Sequence, residues 1–337
     1  MPVQLRVGVV GVGMLGRQHA TYLAQNIPQA RVTAIADVRP AVAAEVSDAL
    51  GVPRHYTTAE ELAADPDVEA LVIVSADEAH LAGILAAAAN RKDVLCEKPI
   101  TTTLADADRA IAACDEAGVR LQIGFMRQYD AAYVAAKQAI ESGAIGTPVY
   151  YKSAHRGKEP YPDNRPASAG CNPAAFLGSN IHDYNDARWL LADDAVEVRA
   201  TGTRVVTDAS PDGVDAAVST VLFSRGALAD IEFVSATNYG YDVRAEVVGD
   251  LGTVFIGTPR GTQTVIATAT GLHQPAMDHW LSRFADAYLT ELTDWVRRMQ
   301  AGEPPYITGA DGRAALEIAI AAQQSMATGS PIGLPLG

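Results

Sequence analysis

The sequence predicts an α/β fold in which a doubly wound parallel sheet is followed by an α+β domain with a mostly antiparallel open sheet. Strands alternate with helices over the first third of the chain, whereas short strands follow one another in the remainder. A chain of 337 residues is long enough for two domains. We place the boundary near Gly124, which gives domains at 1–124 and 125–337.

The first domain is predicted from apolar runs separated by helical stretches. The run 70–75 is nearly all apolar, as expected for a strand covered on both faces. Gly51 and Gly118 are suited to end helices, and Thr58 with Glu61 forms a capping box. The predicted strands are 5–10, 31–37, 70–75, 93–97 and 119–124, and the predicted helices are 41–50, 81–90, 104–117 and a stretch through Leu23.

The second domain is predicted from strand runs with tight turns between them. The turns at 224–226 and 249–252 are glycine-containing and typical of hairpins. The predicted strands are 147–155, 196–206, 216–223, 227–234, 243–249 and 253–256. The predicted helices are 129–142, most of 172–191, 279–299 and 310–326.

The turn after the first predicted strand has the pattern Gly11-x-Gly13-x-x-Gly16. Gly11 permits a tight turn, Gly13 lets the backbone approach a pyrophosphate, and Gly16 lets helix and strand pack closely. The N–H groups that open the helix, including those of Met14 and Leu15, then face the phosphates. The alternative is a glycine-rich turn in another kind of α/β protein. Strand, spacing and helix together favour the dinucleotide-binding Rossmann fold.

Asp37 ends the second predicted strand, 21 positions after Gly16, where a carboxylate meets the ribose hydroxyls of a dinucleotide. This predicts NAD as the cofactor, while Arg39 nearby leaves NADP as the alternative. Ser75 and Glu97 fall at the carboxyl ends of later strands, where such sheets bind ligands. We therefore expect both to contact the cofactor.

The composition is that of an ordinary globular protein, with 48% hydrophobic and 20% charged residues. A formal net charge of -14 argues against nucleic acid or an anionic membrane as a partner. No signal peptide is predicted, and the longest apolar stretch, 81–89, is about half a membrane span. The cysteines show no C-x-x-C pair and favour a reducing cytoplasm; they are Cys96, Cys114 and Cys171.

Two groups of residues are candidates for catalysis. Lys98 lies between Glu97 and Pro99 at the end of the predicted strand 93–97. Its ammonium can hold a substrate hydroxyl, and a partly desolvated lysine with a lowered pKa can take the proton of that hydroxyl. The alternative is an exposed lysine at a strand end. His182 opens a helix in the second domain and is a candidate acid or base. Its alternatives are a capping histidine or a metal ligand, and no metal is predicted because no second ligand lies at a firm spacing.

The chain resembles the Gfo/Idh/MocA oxidoreductases over essentially its whole length. The resemblance is carried by the glycine pattern at 11–16, by Glu97-Lys98-Pro99 and by the stretch from His182 to Leu190. It implies NAD(P)-dependent oxidation of a secondary alcohol on a ring polyol or sugar, with Lys98 as catalytic lysine and His182 sharing the hydroxyl proton. It also implies a homodimer or homotetramer joined through the open sheet.

Within the family, the stretches 124–130, 154–157 and 238–242 are most similar to the inositol dehydrogenases. The resemblance places four further residues in stretches that line the substrate pocket, namely Arg127, His155, Asn180 and Tyr239.

The chain departs from the inositol dehydrogenases one helical turn before His182. Those enzymes usually carry an aspartate where this chain has Gly178, and their second acid corresponds to Asn185 here. Ser179 or Asn180 offers a neutral hydrogen-bonding replacement, and Asp163 is another candidate acid. The departure leaves dehydrogenase chemistry intact but allows functions other than inositol oxidation. These are a pyranose or anhydro-sugar dehydrogenase and, from another class, a non-catalytic dinucleotide-binding sensor.

Overall fold

The chain folds into two compact units in a computed structural model that describes residues 4–158, 174–205, 214–235, 237–258, 260–261 and 264–336. The first unit comprises Met1–Tyr129 and Asp286–Leu316, and the second comprises Asp130–Ala285 and Glu317–Gly337. The first segment ends close to the predicted boundary at Gly124. The return of 286–316 to the first unit was not predicted.

The first unit is built on a six-stranded parallel sheet with the order β3-β2-β1-β4-β5-β6. This order reverses direction between β1 and β4, so it leaves a crevice at the carboxyl ends of the strands there. The strands are β1 (Leu5–Val10), β2 (Ala30–Ala36), β3 (His55–Tyr56), β4 (Ala70–Ile73), β5 (Asp93–Glu97) and β6 (Leu121–Gly124). The doubly wound sheet is confirmed, and only the two-residue β3 escaped the sequence pattern.

Helices follow the strands of this unit: α1 (Met14–Thr21), α2 (Pro40–Leu50), α3 (Ala59–Ala64), α4 (His80–Ala89) and α5 (Leu104–Ala117). Thr58 and Glu61 form the predicted capping box of α3 through side-chain bonds to each other's backbone N–H. Gly51 ends α2 with φ of 65°, a left-handed conformation that glycine adopts without steric cost. A π-helical turn, Tyr22–Asn26, extends α1.

The second unit is built on a seven-stranded sheet with the order β12-β11-β7-β10-β9-β8-β15. Among the described strands of this sheet, only β7 and β10 pair in parallel. The tight turns join antiparallel β9 to β10 and β11 to β12, as predicted. The strands are β7 (Pro148–Arg156), β8 (Ala195–Thr203), β9 (Ala216–Phe223), β10 (Leu228–Val234), β11 (Asp242–Gly249), β12 (Thr253–Ile256) and β15 (Ile332–Gly333). An exposed hairpin, β13 (Ile266–Thr268) and β14 (Gly271–His273), stands apart from this sheet.

The helices of the second unit lie over one face of its sheet. In β7 the buried residues alternate with exposed or half-buried ones, so Tyr151, Ser153 and His155 share the covered face. The helices are α6 (Ala131–Glu141) and α7 (Ile181–Leu191), preceded by a π-helical segment Ala174–Asn180. A long helix, α10 (Gly309–Thr328), runs from the first unit into the second.

The predicted helix 279–299 is two helices, α8 (Trp280–Arg283) and α9 (Ala285–Ala301). Phe284 interrupts them with φ of -114° and ψ of 18°. Its ring is fully buried and packs edge-on against Tyr241, while Arg283 pairs with Asp130 at 2.6 Å. Packing and the ion pair together hold the chain out of helical geometry at this point.

The apolar face of α9 belongs to the core of the first unit. Leu292, Trp295 and Val296 are fully buried and pack in one cluster with residues of β1, β2 and α1. Burial of these side chains explains why 286–316 returns to the first unit. No helix in the described part of the chain is long and apolar enough to cross a membrane.

Candidate active site

The glycine turn joins β1 to α1 in the first unit. Gly11 has φ of +82°, and a Cβ there would lie 2.6 Å from the backbone of Ser75. A Cβ on Gly16 would overlap the carbonyl oxygen of Gly11, whereas a Cβ on Gly13 would meet no atom within 4 Å. The fold therefore requires the first and third glycines, and the second leaves open space beside the turn.

The start of α1 is open to a ligand at this turn. Gly13 is its N-cap, and the first intrahelical bond runs from Arg17 N–H to the Gly13 carbonyl at 2.9 Å. The N–H groups of the first turn, including those of Met14 and Leu15, have no intrahelical acceptor. Such groups, together with the helix dipole, attract phosphate.

Asp37 follows β2 directly and is nearly buried. Its Oδ2 accepts from the Val12 N–H at 3.0 Å, and its Oδ1 accepts from the backbone N–H and Nε of Arg39 at 3.0 and 2.9 Å. Burial alone would raise the pKa of Asp37, but these donors outweigh it and the pKa is lowered. The carboxylate is therefore ionised, and the Arg39 guanidinium partly neutralises it.

A cavity of about 480 Å³ opens at the ends of β1, β2 and β4, a size typical of small-molecule sites. It brings together Gly11, Gly13, Asp37, Arg39 and Ser75, five of the predicted cofactor residues. The rest of its lining is mainly apolar and includes Val10, Ala36, Val38, Thr57, Thr58, Ala59, Glu60, Val74, Ala76, Ala79 and Ala82. An apolar pocket with one anchored carboxylate and a phosphate-binding turn fits the adenosine end of a dinucleotide.

Lys98 follows β5, at the same edge of the sheet, and its bond to Pro99 is cis. The Glu97 carboxylate is buried; its Oε1 lies 3.1 Å from Nε2 of His19, and its Oε2 accepts from the Lys98 N–H at 3.3 Å. Glu97, predicted to contact the cofactor, is thus engaged inside the unit. On α9, Glu291 is fully buried. Burial and the Glu97 charge raise the pKa of Glu291 well above its usual range, and they outweigh a hydrogen bond from the Phe125 N–H, which lowers that pKa.

A buried polar cluster lies under the sheet of the second unit. His155 on β7 places Nδ1 3.1 Å from Oδ2 of Asp183, which also accepts from the Asn180 amide at 3.2 Å. The Tyr241 hydroxyl lies 3.5 Å from Nε2 of His155. His182, on the first turn of α7 beside Asp183, is 5% exposed. The structure thus brings two predicted substrate residues together around a carboxylate that the sequence pattern did not single out.

The remaining predicted residues lie in three places. Arg127 is fully buried in the first unit, in a 3₁₀ turn after β6. Tyr239 is half exposed and donates to Asp242 at 2.6 Å, so Tyr241, two residues later, is the tyrosine at the His155 cluster. Gly178 lies in the π-helical segment before α7.

Asp163 and Cys171 lie outside the described residues. Within the described ranges, no group of three His, Cys, Asp or Glu side chains has the arrangement of a metal site.

The sequence matches two consecutive family profiles. The NAD-binding Rossmann domain of the GFO_IDH_MocA oxidoreductases covers residues 5–125, and the C-terminal α/β domain of the same family covers 137–334. Together they span nearly the whole chain. The chain belongs to the Gfo/Idh/MocA oxidoreductase family.

Relatives in the Gfo/Idh/MocA family are similar over full length. The chain is 34% identical to scyllo-inositol 2-dehydrogenase (NAD(+)) of Bacillus subtilis, covering 99% of this chain and 97% of the relative. It is 36% identical to myo-inositol 2-dehydrogenase of Thermotoga maritima, covering 96% of each. Its structure matches the Lactobacillus casei myo-inositol dehydrogenase in complex with NAD(H) and myo-inositol, with a TM-score of 0.92, 26% identity and coverage of 99% and 98%.

As a member of this family, the chain is an NAD-binding oxidoreductase acting on CH–OH groups, as the resemblance implied. The cavity at the ends of β1, β2 and β4 and the glycine turn lie in the segment matched by the NAD-binding profile. The His155–Asp183 cluster lies in the segment matched by the second profile.

Proposed function

We propose that this protein oxidises a secondary hydroxyl of a ring polyol of the inositol type, using NAD. The observation that carries the proposal is Lys98 at the carboxyl end of β5, at the sheet edge that also holds the nucleotide cavity. Relatives named for scyllo- and myo-inositol, both matched along almost the whole chain, support this substrate class. Their names differ in the inositol isomer, so the isomer is a question for experiment.

The cofactor is held by the first unit in this proposal. The glycine turn and the start of α1 bind the pyrophosphate, and Asp37 binds the ribose hydroxyls once Arg39 moves aside. NAD, when bound, supplies the hydride acceptor. A 2′-phosphate would meet the Asp37 carboxylate, so NAD is favoured over NADP.

Lys98 and His182 handle the hydroxyl proton in this proposal. A neutral lysine amine would take the proton from the hydroxyl oxygen as hydride leaves the carbon that bears this hydroxyl for the nicotinamide of NAD, and an imidazole beside the hydroxyl would share the proton. Proton removal places negative charge on the oxygen, which helps to expel the hydride. Both steps act on one carbon and its hydroxyl, so the product is the ketone.

The buried cluster of the second unit supplies hydrogen-bonding groups for the other ring hydroxyls. His155, Asn180 and the Tyr241 hydroxyl are polar groups held in fixed orientations by Asp183 and by each other. We propose that they read the hydroxyl pattern, with Arg127 as a further contact. Gly178 stands where the inositol dehydrogenases usually carry an aspartate, so no carboxylate binds a ring hydroxyl from this position. A pyranose or anhydro-sugar is therefore the second candidate substrate.

A turnover panel tests this proposal. The purified protein is assayed for NADH formation with myo-inositol, scyllo-inositol, other inositol isomers, glucose, xylose and an anhydro-sugar. Highest kcat/KM on an inositol is the expected result, and highest kcat/KM on a pyranose would move the substrate to the second candidate. NAD binding without turnover on any ring would favour a sensor.

We also propose that copies of this chain associate through the uncovered face of the seven-stranded sheet. That face exposes apolar residues on three strands, namely Val218 and Leu222 on β9, Leu228 on β10 and Phe255 on β12. Light scattering after size exclusion should report a homodimer or homotetramer, and Phe255→Glu should shift it toward monomer. We propose the cytoplasm as its location, with no nucleic-acid or membrane partner.

A further inference from the structure

Two buried histidines hold the residues on either side of Lys98. His19, on α1, is fully buried with Nε2 3.1 Å from Oε1 of Glu97. His80, at the start of α4, is 1% exposed with Nδ1 2.7 Å from the carbonyl oxygen of Pro99. The sequence pattern assigned no role to either histidine.

The Glu97 carboxylate is confined by several neighbouring groups. Its second oxygen accepts the Lys98 N–H at 3.3 Å, so His19 is coupled to the lysine backbone through one carboxylate. Gly124 lies opposite Glu97 in β6, where a Cβ would come within 3.0 Å of the carboxyl carbon. The Tyr288 ring packs against His19 at 5.4 Å between centroids. A buried carboxylate fixed in this way has little rotamer freedom.

The Pro99 side is tied to the neighbouring strand end. A carbonyl oxygen only accepts, so the short bond to Pro99 requires a proton on Nδ1 of His80. Nε2 of the same ring lies 3.2 Å from the carbonyl of Ser75, which lines the nucleotide cavity. The ring thus lies between the chain segments that follow β4 and β5, and its Nδ1–H donates to the second of them.

We propose that His19 and His80 are positioning residues that fix the Lys98 backbone from both sides, so that the lysine amine is held at the reacting hydroxyl. This inference rests on the proposed role of Lys98 in catalysis. A lysine side chain has four rotatable carbon–carbon bonds, so its reach is useful only if its backbone is fixed. Misplacement of a reacting group by about 1 Å can cost roughly 10²-fold in rate.

Alanine and glutamine variants of each histidine test the proposal. His19→Ala and His80→Ala remove the bonds, and we expect kcat to fall by about 10- to 100-fold. The NAD Kd of His19→Ala should stay within about threefold of wild type, because Glu97 and Tyr288, which the His19 ring contacts, do not line the nucleotide cavity. His19→Gln and His80→Gln keep one amide donor, and we expect each to recover at least about fivefold in kcat over its alanine variant.

Asp93→Asn is the matched control, since Asp93 opens the same strand and pairs with Arg120 at its far end. We expect it to lower Tm without changing kcat. The proposal is overturned if the alanine variants keep kcat within about threefold of wild type, or if glutamine does no better than alanine. The two histidines lie on different helices, so if one alanine variant fails to fold, the other decides the result.

Lys98→Met separates the two proposals. An inactive Lys98→Met with normal histidine variants overturns only the positioning role. A fully active Lys98→Met overturns the catalytic role of the lysine, and the positioning role with it.

Discussion

Of the three glycines in the glycine turn at 11–16, Gly13 is the one that the fold itself does not require. Its φ of -66° and ψ of -159° are open to any residue, and an added Cβ meets nothing within 4 Å. Gly13→Ala should therefore change the free energy of unfolding by less than about 0.5 kcal/mol. Its methyl group would, however, occupy the space through which a pyrophosphate reaches the turn.

The cost in affinity follows from the bonds that the phosphate would lose. A hydrogen bond to a charged group is worth about 1.5–3 kcal/mol, so losing one such N–H contact weakens NAD binding by roughly 10- to 150-fold. Gly16→Ala is the contrasting control, because its methyl would overlap the Gly11 carbonyl oxygen. That variant should lose about 1–3 kcal/mol of stability, as overpacked sites do.

The assay measures NAD affinity by titration calorimetry and cofactor-free stability by urea unfolding, on both variants and wild type. The expected pattern is an intact Gly13→Ala that binds NAD weakly and a Gly16→Ala that is destabilised. Wild-type NAD affinity in a stably folded Gly13→Ala would refute the assignment of this turn to the pyrophosphate.

Four further outcomes are expected. Lys98→Met should lower kcat by about 10²- to 10⁴-fold with NAD binding retained. Because both residues act on one proton, adding His182→Ala should lower kcat by less than the product of the two single fold losses; a loss equal to that product would argue against a shared proton. Asp37→Asn should cut the NAD-over-NADP ratio of kcat/KM by roughly 10-fold or more, and an unchanged ratio would remove Asp37 from cofactor selection. Burial and the nearby Glu97 charge raise the pKa of Glu291, so Glu291 should make wild type lose stability as pH rises above the ordinary pKa of glutamate. Glu291→Gln should escape this loss and gain up to about 1.4 kcal/mol per pH unit over wild type in urea unfolding above that pH, whereas parallel pH curves would contradict a raised pKa of Glu291. Gly178→Asp should raise kcat/KM for myo-inositol by roughly 10-fold or more, and no change on any ring would show that this position has no bearing on specificity.

The parallel sheet and its nucleotide turn were predictable because their signals are local. A strand buried on both faces is a run of apolar residues, and the turn after β1 needs glycine at two positions for steric reasons. The capping box at Thr58 and the helix-ending Gly51 also depend on residues within a few positions. The position of Lys98 at a strand end was predictable in the same way, since this residue directly follows a predicted strand.

Contacts between distant segments decided the rest. The break at Phe284 depends on a ring contact with Tyr241, which no local period encodes. Glu291 would be taken from sequence for a solvent-facing glutamate of an amphipathic helix, yet the return of α9 to the first unit buries it near Glu97. His19 is separated from Glu97 by 78 positions, so only the folded chain brings them together.

The sequence by itself determined the fold class, the cofactor type and the lysine at the strand end, because each depends on backbone sterics or on residue order along one or two elements. Only the tertiary structure decided which side chains surround that lysine and which carboxylate holds His155. Burial and charge pairing act between residues far apart in the chain, and they set protonation and orientation only after the elements have packed.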